Sequence, residues 1–283
     1  MPDSELNLVD CGEGELPIVL IHGFTCDLSN WKEQLSGLSG SHRCVAIDLP
    51  GHGASGDSPD ATIEALAAAA NDTLDKLGLN QVLLVGHSMG CRVISEMVSQ
   101  SPDRAYGLVY VDGSFVASRD VDASVKKAME KIDAFGMGSF IEALYEGFFV
   151  EGTPATVREY ILAGESRIRM DFAKKLWPSV VRWDGSRSRA VLANIDVPVL
   201  VIQSTTLDTD LNRASISAGE STPWVDAVSQ AVNDVTVTVI EGVGHFPMLE
   251  APQQTNDAIL GFARRIKERA GVGQSTRRPG DTR

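Results

Sequence analysis

A serine stands between two glycines in Gly86–His87–Ser88–Met89–Gly90. The four apolar residues before it, Val82–Leu83–Leu84–Val85, read as a buried strand, and Cys91 to Val98 continue as a helix. A serine at such a strand–turn–helix junction carries the signature of a nucleophile elbow. The turn is sharp enough to strain the serine backbone, and glycine at i−2 and i+2 relieves the crowding of neighbouring side chains. The hydroxyl then stands clear of the sheet at a helix N-terminus, whose amides favour an oxyanion. A serine hydroxyl is a weak nucleophile at its own pKa and needs a base within hydrogen-bond reach. Histidine titrates near neutrality and can both take and return the proton. Two other histidine-bearing stretches, His22–Gly23–Phe24 and Gly244–His245, also follow directly on expected strands.

Strand patterns recur at Leu6–Val9, Pro17–Ile21, Arg43–Ile47, the elbow strand, Gly107–Val111, Val197–Ile202 and Val235–Ile240. Between them lie helical patterns: Trp31–Leu38 with Ser29 as its cap, an alanine-rich stretch Thr62–Leu77 stopped by Gly78, and Pro252–Arg269. Strands alternating with helices imply a parallel sheet with right-handed crossovers and ligands at the carboxyl ends of the strands. From Ser114 to Asn194 the strands vanish, apolar residues recur at helical spacing, and Phe135, Phe140, Phe148, Phe149, Phe172, Trp177 and Trp183 concentrate. The expected organisation is therefore a core of residues 1–113 and 195–270, a helical cap at 114–194, and a tail at 271–283 with a disordered composition.

At 283 residues and 43% hydrophobic, the chain can bury one sizeable core. A formal charge of −13 argues against a nucleic-acid footprint. No apolar run approaches the roughly 20 residues of a membrane span, and Met1–Pro2–Asp3–Ser4–Glu5 lacks a basic region followed by an apolar one. A soluble, cytoplasmic protein is expected. Its four cysteines, Cys11, Cys26, Cys44 and Cys91, are scattered and read as free thiols of a reducing compartment. Histidines and cysteines lack metal-ligand spacing, so neither metal nor cofactor is expected.

The order of the three strand-end motifs, with Asp48–Leu49–Pro50–Gly51–His52–Gly53–Ala54–Ser55 between the first two, resembles the α/β-hydrolase superfamily. The resemblance runs from about Leu6 to Arg269. It implies an α/β-hydrolase fold, a mostly parallel sheet of about seven strands with the helical cap inserted after the strand ending at Asp112. It implies Ser88 as nucleophile and His245 as general base, with the amides of Met89 and Phe24 as oxyanion hole. His22, His52 and His87 read as structural. The family's acid usually follows the strand Val199–Ile202 as Gly-x-x-Asp. Here the stretch is Gln203–Ser204–Thr205–Thr206–Leu207–Asp208–Thr209–Asp210, with serine for glycine and leucine at the usual acid position. Asp208, one residue late, is the leading acid; Asp112, where a minority of relatives carry it, and Asp210 are the alternatives.

Serine rather than aspartate at the elbow argues, by that resemblance, against haloalkane dehalogenase and epoxide hydrolase. The implied activity is cleavage of a carboxylic ester or lactone of a small, fairly apolar substrate through an acyl-enzyme. Carbon–carbon bond hydrolysis or perhydrolysis on the same residues, or slow-turnover ligand signalling, are the alternatives. Neither nucleic acid nor membrane is an expected partner, and a homodimer is allowed. The long excursion from Leu211 to Trp224 reads as a loop, with Arg213 or Trp224 edging the pocket as the functional alternative.

Overall fold

The continuous apolar runs become the central strands of one sheet, because both of their faces are covered. The computed structural model describes residues 5–56, 58–116, 120–164 and 167–270; the expected tail at 271–283 lies outside them. The strands are β1 (Leu8–Cys11), β2 (Ile18–Ile21), β3 (Cys44–Ile47), β4 (Val82–His87), β5 (Ala105–Val111), β6 (Val199–Gln203), β7 (Thr205–Leu207), β8 (Arg213–Ser215) and β9 (Val235–Val239). Seven of them form the main sheet in the order β1-β3-β2-β4-β5-β6-β9. Every neighbouring pair is parallel except β1 on β3. This is the α/β-hydrolase fold with the expected seven strands. β7 and β8 form a separate antiparallel hairpin where the sequence pattern suggested only loop.

The helices are α1 (Lys32–Leu38), α2 (Ile63–Lys76), α3 (Met89–Gln100), α4 (Val121–Phe135), α5 (Met137–Phe148), α6 (Ala155–Leu162), α7 (Met170–Arg182), α8 (Ser188–Ala193), α9 (Pro223–Ala231), α10 (Pro247–Glu250) and α11 (Pro252–Ala270). In α2 the Thr62 hydroxyl accepts from the Ala65 amide at 3.1 Å, satisfying one of the orphan donors of the first turn. Ile63, Leu66, Ala67, Ala70 and Leu74 then form its buried stripe against α3. Ahead of α1 the cap is Asp27 rather than Ser29: its carboxylate accepts from the Ser29 amide and opens the 3-10 turn Leu28–Trp31. Among the described residues, helices α4 to α8 and no strand lie between β5 and β6. No helix among the described residues is long and apolar enough to cross a membrane.

Register decides what the sheet presents at its carboxyl edge. Ile21 pairs with Gly86, His87 with Val111, and Val111 with Ile202. The residues that leave β4, β5 and β6 therefore emerge side by side: Ser88, Asp112 and Ser204. Gln203 pairs with Val239 at the end of β9, which brings the Gly242–His245 loop to the same edge.

Candidate active site

Ser88 holds a left-handed backbone, φ 52° and ψ −112°, between β4 and the first turn of α3. Few residues other than glycine tolerate that region, and the surroundings fix it. The Ser88 amide donates to Val111 O at 3.0 Å. A Cβ on Gly86 would lie 2.4 Å from Gly90 O, and one on Gly90 would lie 2.3 Å from Ile21 O. Both elbow glycines are thus required by backbone proximity, as the pattern suggested. Phe24 and Met89 line the same small chamber as Ser88. Met89 is the first residue of α3, where amides have no partner inside the helix.

His245 lies between Ser88 and a carboxylate. Its Nε2 is 3.0 Å from Ser88 Oγ and its Nδ1 is 2.7 Å from Asp112 Oδ2. That carboxylate is not Asp208, the leading sequence expectation. After β6 the chain runs straight into the β7–β8 hairpin, so Asp208 falls at its tip. There it is exposed and accepts from the amides of Asp210 and Asn212, both at 2.9 Å. Those bonds hold it below the usual carboxylate range. Asp210 is exposed as well and ion-pairs with Lys127 at 3.7 Å. Asp112, by contrast, is fully buried. Its Oδ1 accepts from Ser204 N, Ser204 Oγ, Thr205 N and Gln203 Nε2, and its Oδ2 from Thr205 Oγ1, Arg213 Nη1 and His245 Nδ1.

The remaining candidates separate cleanly. Arg213 is in the site, inside the chamber lining and bonded to Asp112, although the pattern around it suggested only a pocket edge. Trp224 is buried behind the site, packed edge-on against Tyr110 and Phe115. His22 accepts from the Leu49 amide and bonds Gly23 O, His52 bonds Pro50 O, and His87 bonds His245 O. These three hold loops in place. Arg92, one turn beyond Ser88, pairs through two nitrogens with Asp184 at 2.7 and 2.8 Å and reaches Ser88 O at 3.3 Å. Nothing local in the sequence marked that pair, whose members stand 92 residues apart.

The chamber is about 30 Å³ and is walled by Phe24, Leu144, Phe148, Trp177 and Val180 besides the residues named. Beyond it lies an outer cavity of about 430 Å³ between α4 and the hairpin. The two share Val116, Trp177, Leu207 and Leu211.

Burial pushes the His245 imidazole well below its usual value, with the cations Arg213 and Arg92 acting in the same direction. Burial also lowers His22, His52 and His87. Each titrates near roughly 6.5 when unfolded and lower when folded. Stability is therefore complete above the unfolded value and is lost as pH falls toward the folded ones, by roughly 1 kcal/mol per pH unit for each histidine in that window. The melting temperature should drop by about 5–10 °C between pH 7.5 and 5.5. A melting temperature that stays level over that range would contradict the buried, neutral histidines.

The alpha/beta hydrolase family profile matches residues 18–258. Esterase YbfF of Escherichia coli (strain K12) is 25% identical over 258 residues, which is 88% of this chain and 92% of that protein. A dihydrolipoyllysine-residue acetyltransferase component of an acetoin cleaving system, from Pseudomonas putida, is 27% identical over 262 residues, 90% of this chain. This chain spans only 65% of that protein's length. A solved structure of a thermophilic esterase from Thermogutta terrifontis matches with a TM-score of 0.73 at 26% identity, over 92% of this chain and 93% of the other.

Proposed function

The chain belongs to the alpha/beta hydrolase family, and on that premise we propose that it is a serine hydrolase of small, fairly apolar carboxylic esters or lactones. The observation that carries this is the unbroken line from Ser88 Oγ through His245 to Asp112, at 3.0 and 2.7 Å. Asp112 Oδ2 accepts from the Nδ1–H of His245, which leaves Nε2 to accept the serine proton. Ser88 Oγ attacks the substrate carbonyl carbon while its proton passes to Nε2. The carbonyl oxygen becomes an oxyanion facing the amides of Phe24 and Met89. His245 then protonates the departing alkoxide, leaving an acyl-enzyme on Ser88. A water molecule, losing its proton to the same Nε2, releases the acid and restores the serine.

Segment 114–194 serves as a cap, and its aromatic residues set the acyl length. The chamber next to Ser88 is small and apolar, so a short acyl group fits it and the leaving group extends into the outer cavity. Across p-nitrophenyl esters of rising acyl length, kcat/KM should peak at two to four carbons and fall more than tenfold by decanoate. Small lactones tested alongside should turn over. A preference for long chains would refute the acyl assignment. A burst of one nitrophenol per enzyme with no later turnover would instead favour the slow ligand-binding alternative.

A further inference from the structure

The proposed reaction makes no use of Arg213, yet this arginine is built into the site. It stands on β8, its side chain is 2% exposed, and its two terminal nitrogens donate to three oxygens. Nη1 donates to Asp112 Oδ2 at 3.1 Å and to Thr205 Oγ1 at 2.8 Å, and Nη2 donates to Ser114 Oγ at 2.9 Å. The oxygen it shares, Asp112 Oδ2, is the one that accepts from His245. We propose that Arg213 is a positioning residue of this enzyme, clamping Asp112 and offsetting its charge so that His245 remains an unprotonated base into mildly acidic solution. The proposal rests on Ser88, His245 and Asp112 being the reacting groups.

A buried carboxylate left to itself stabilises the imidazolium beside it and raises that histidine's affinity for protons. A cation on the same oxygen opposes this. The other groups around His245 do not replace the effect. From β4 and α3 come His87, its ring tilted by 44° with centroids 4.5 Å apart, and Arg92, whose charge is matched by Asp184. From α5 comes the apolar ring of Phe148, and from α10 comes Glu250, which is engaged by the amides of Gly244 and Phe246. Asp112 and Arg213 are the remaining charges, on β5's end and β8. Burial pushes the guanidinium down only to about 10, so it keeps its charge through neutral pH. The opposition is therefore present wherever the enzyme would work.

The test is the pH dependence of kcat/KM for p-nitrophenyl acetate in the wild type, R213Q and R213K, with S88A as the blank. The wild-type acid limb should lie below the ordinary histidine value of roughly 6.5. In R213Q that limb should move up by about one pH unit, and in R213K it should return most of the way to the wild-type position. A clamp that only braced the fold would lower activity at all pH values without moving the limb. An unmoved limb in R213Q, or one displaced as far in R213K, overturns the proposal. The His245 Nδ1 proton, followed by NMR in the wild type, gives a readout that needs neither variant to fold. Titration at or above roughly 6.5 there also overturns it. Complete absence of Ser88-dependent hydrolysis would defeat the hydrolase reading instead, and the same NMR titration run on R213Q beside the wild type would still report on Arg213.

Discussion

Ser88→Ala should remove turnover on the order of a millionfold, down to whatever the oxyanion amides and substrate positioning supply without a nucleophile. The elbow offers no second hydroxyl to His245 Nε2, whose partner is Ser88 Oγ. The backbone at 88 already carries a Cβ at φ 52°, so alanine adds no strain and the melting temperature should move by less than a degree or two. Activity on p-nitrophenyl butyrate and a thermal melt, measured on the same preparation, check both halves. A folded Ser88→Ala enzyme with a tenth of the wild-type rate would end the acyl-enzyme mechanism.

Asp112→Asn should be almost as damaging, with kcat lower by up to about ten thousandfold. The environment of Asp112 explains why. Its carboxylate oxygens receive from amides, hydroxyls, an arginine and the imidazole, all of them acting as donors. An asparagine there must turn its NH2 against donors in either orientation, so His245 loses its acceptor or the Ser204–Thr205 turn loses its own. Some loss of melting temperature should accompany the loss of rate, since an unsatisfied buried donor is costly. Asp208→Asn should cost less than tenfold, because that side chain bonds its own turn rather than His245 and borders only the outer cavity. Steady-state kinetics of the two variants, well below both melting temperatures, decide the matter. A crippled Asp208→Asn beside an active Asp112→Asn would return the acid to the hairpin.

Ser88 at its strand–turn–helix elbow, and the fold around it, could be read from the chain because their signals are local. A short apolar run such as Val82–Val85 followed by glycine reads as a covered strand, and Gly86 and Gly90 mark the two close approaches of backbone that the elbow needs. His245 was legible for the same reason, as a Gly–His step just after the last strand. The acid was not. Two aspartates follow neighbouring strands in the sequence, and what separates them in the fold is the path of the chain after Gln203. Thr205–Leu207 and Arg213–Ser215 are strands of three residues each, too short to give an alternating pattern. The available clue was the composition of the intervening turn. Asp208–Thr209–Asp210–Leu211–Asn212 is rich in residues that bond their own backbone, and that is what Asp208 does. Arg213 was legible only as a residue edging the pocket, because two of its three partners, Asp112 and Ser114, lie about a hundred residues upstream.

The π-turn Trp183–Arg187 between α7 and α8 limits how freely this enzyme could be re-engineered. Asp184 binds Arg92, while Arg187 and the Trp183 indole both bind Glu96, so the two acceptor and donor pairs interleave across one turn of α3. Arg92 is also bonded to the carbonyl of the nucleophile. Grafting the 114–194 segment of a relative onto this core would strip the counter-charge from Arg92 and Glu96, and an abandoned buried charge costs about 3–5 kcal/mol. Substrate range in this lineage is thus more readily altered by single changes at Leu144, Phe148 or Trp177 than by exchange of whole segments. A graft would succeed only if it brought an aspartate and an arginine three residues apart on the turn that meets α3.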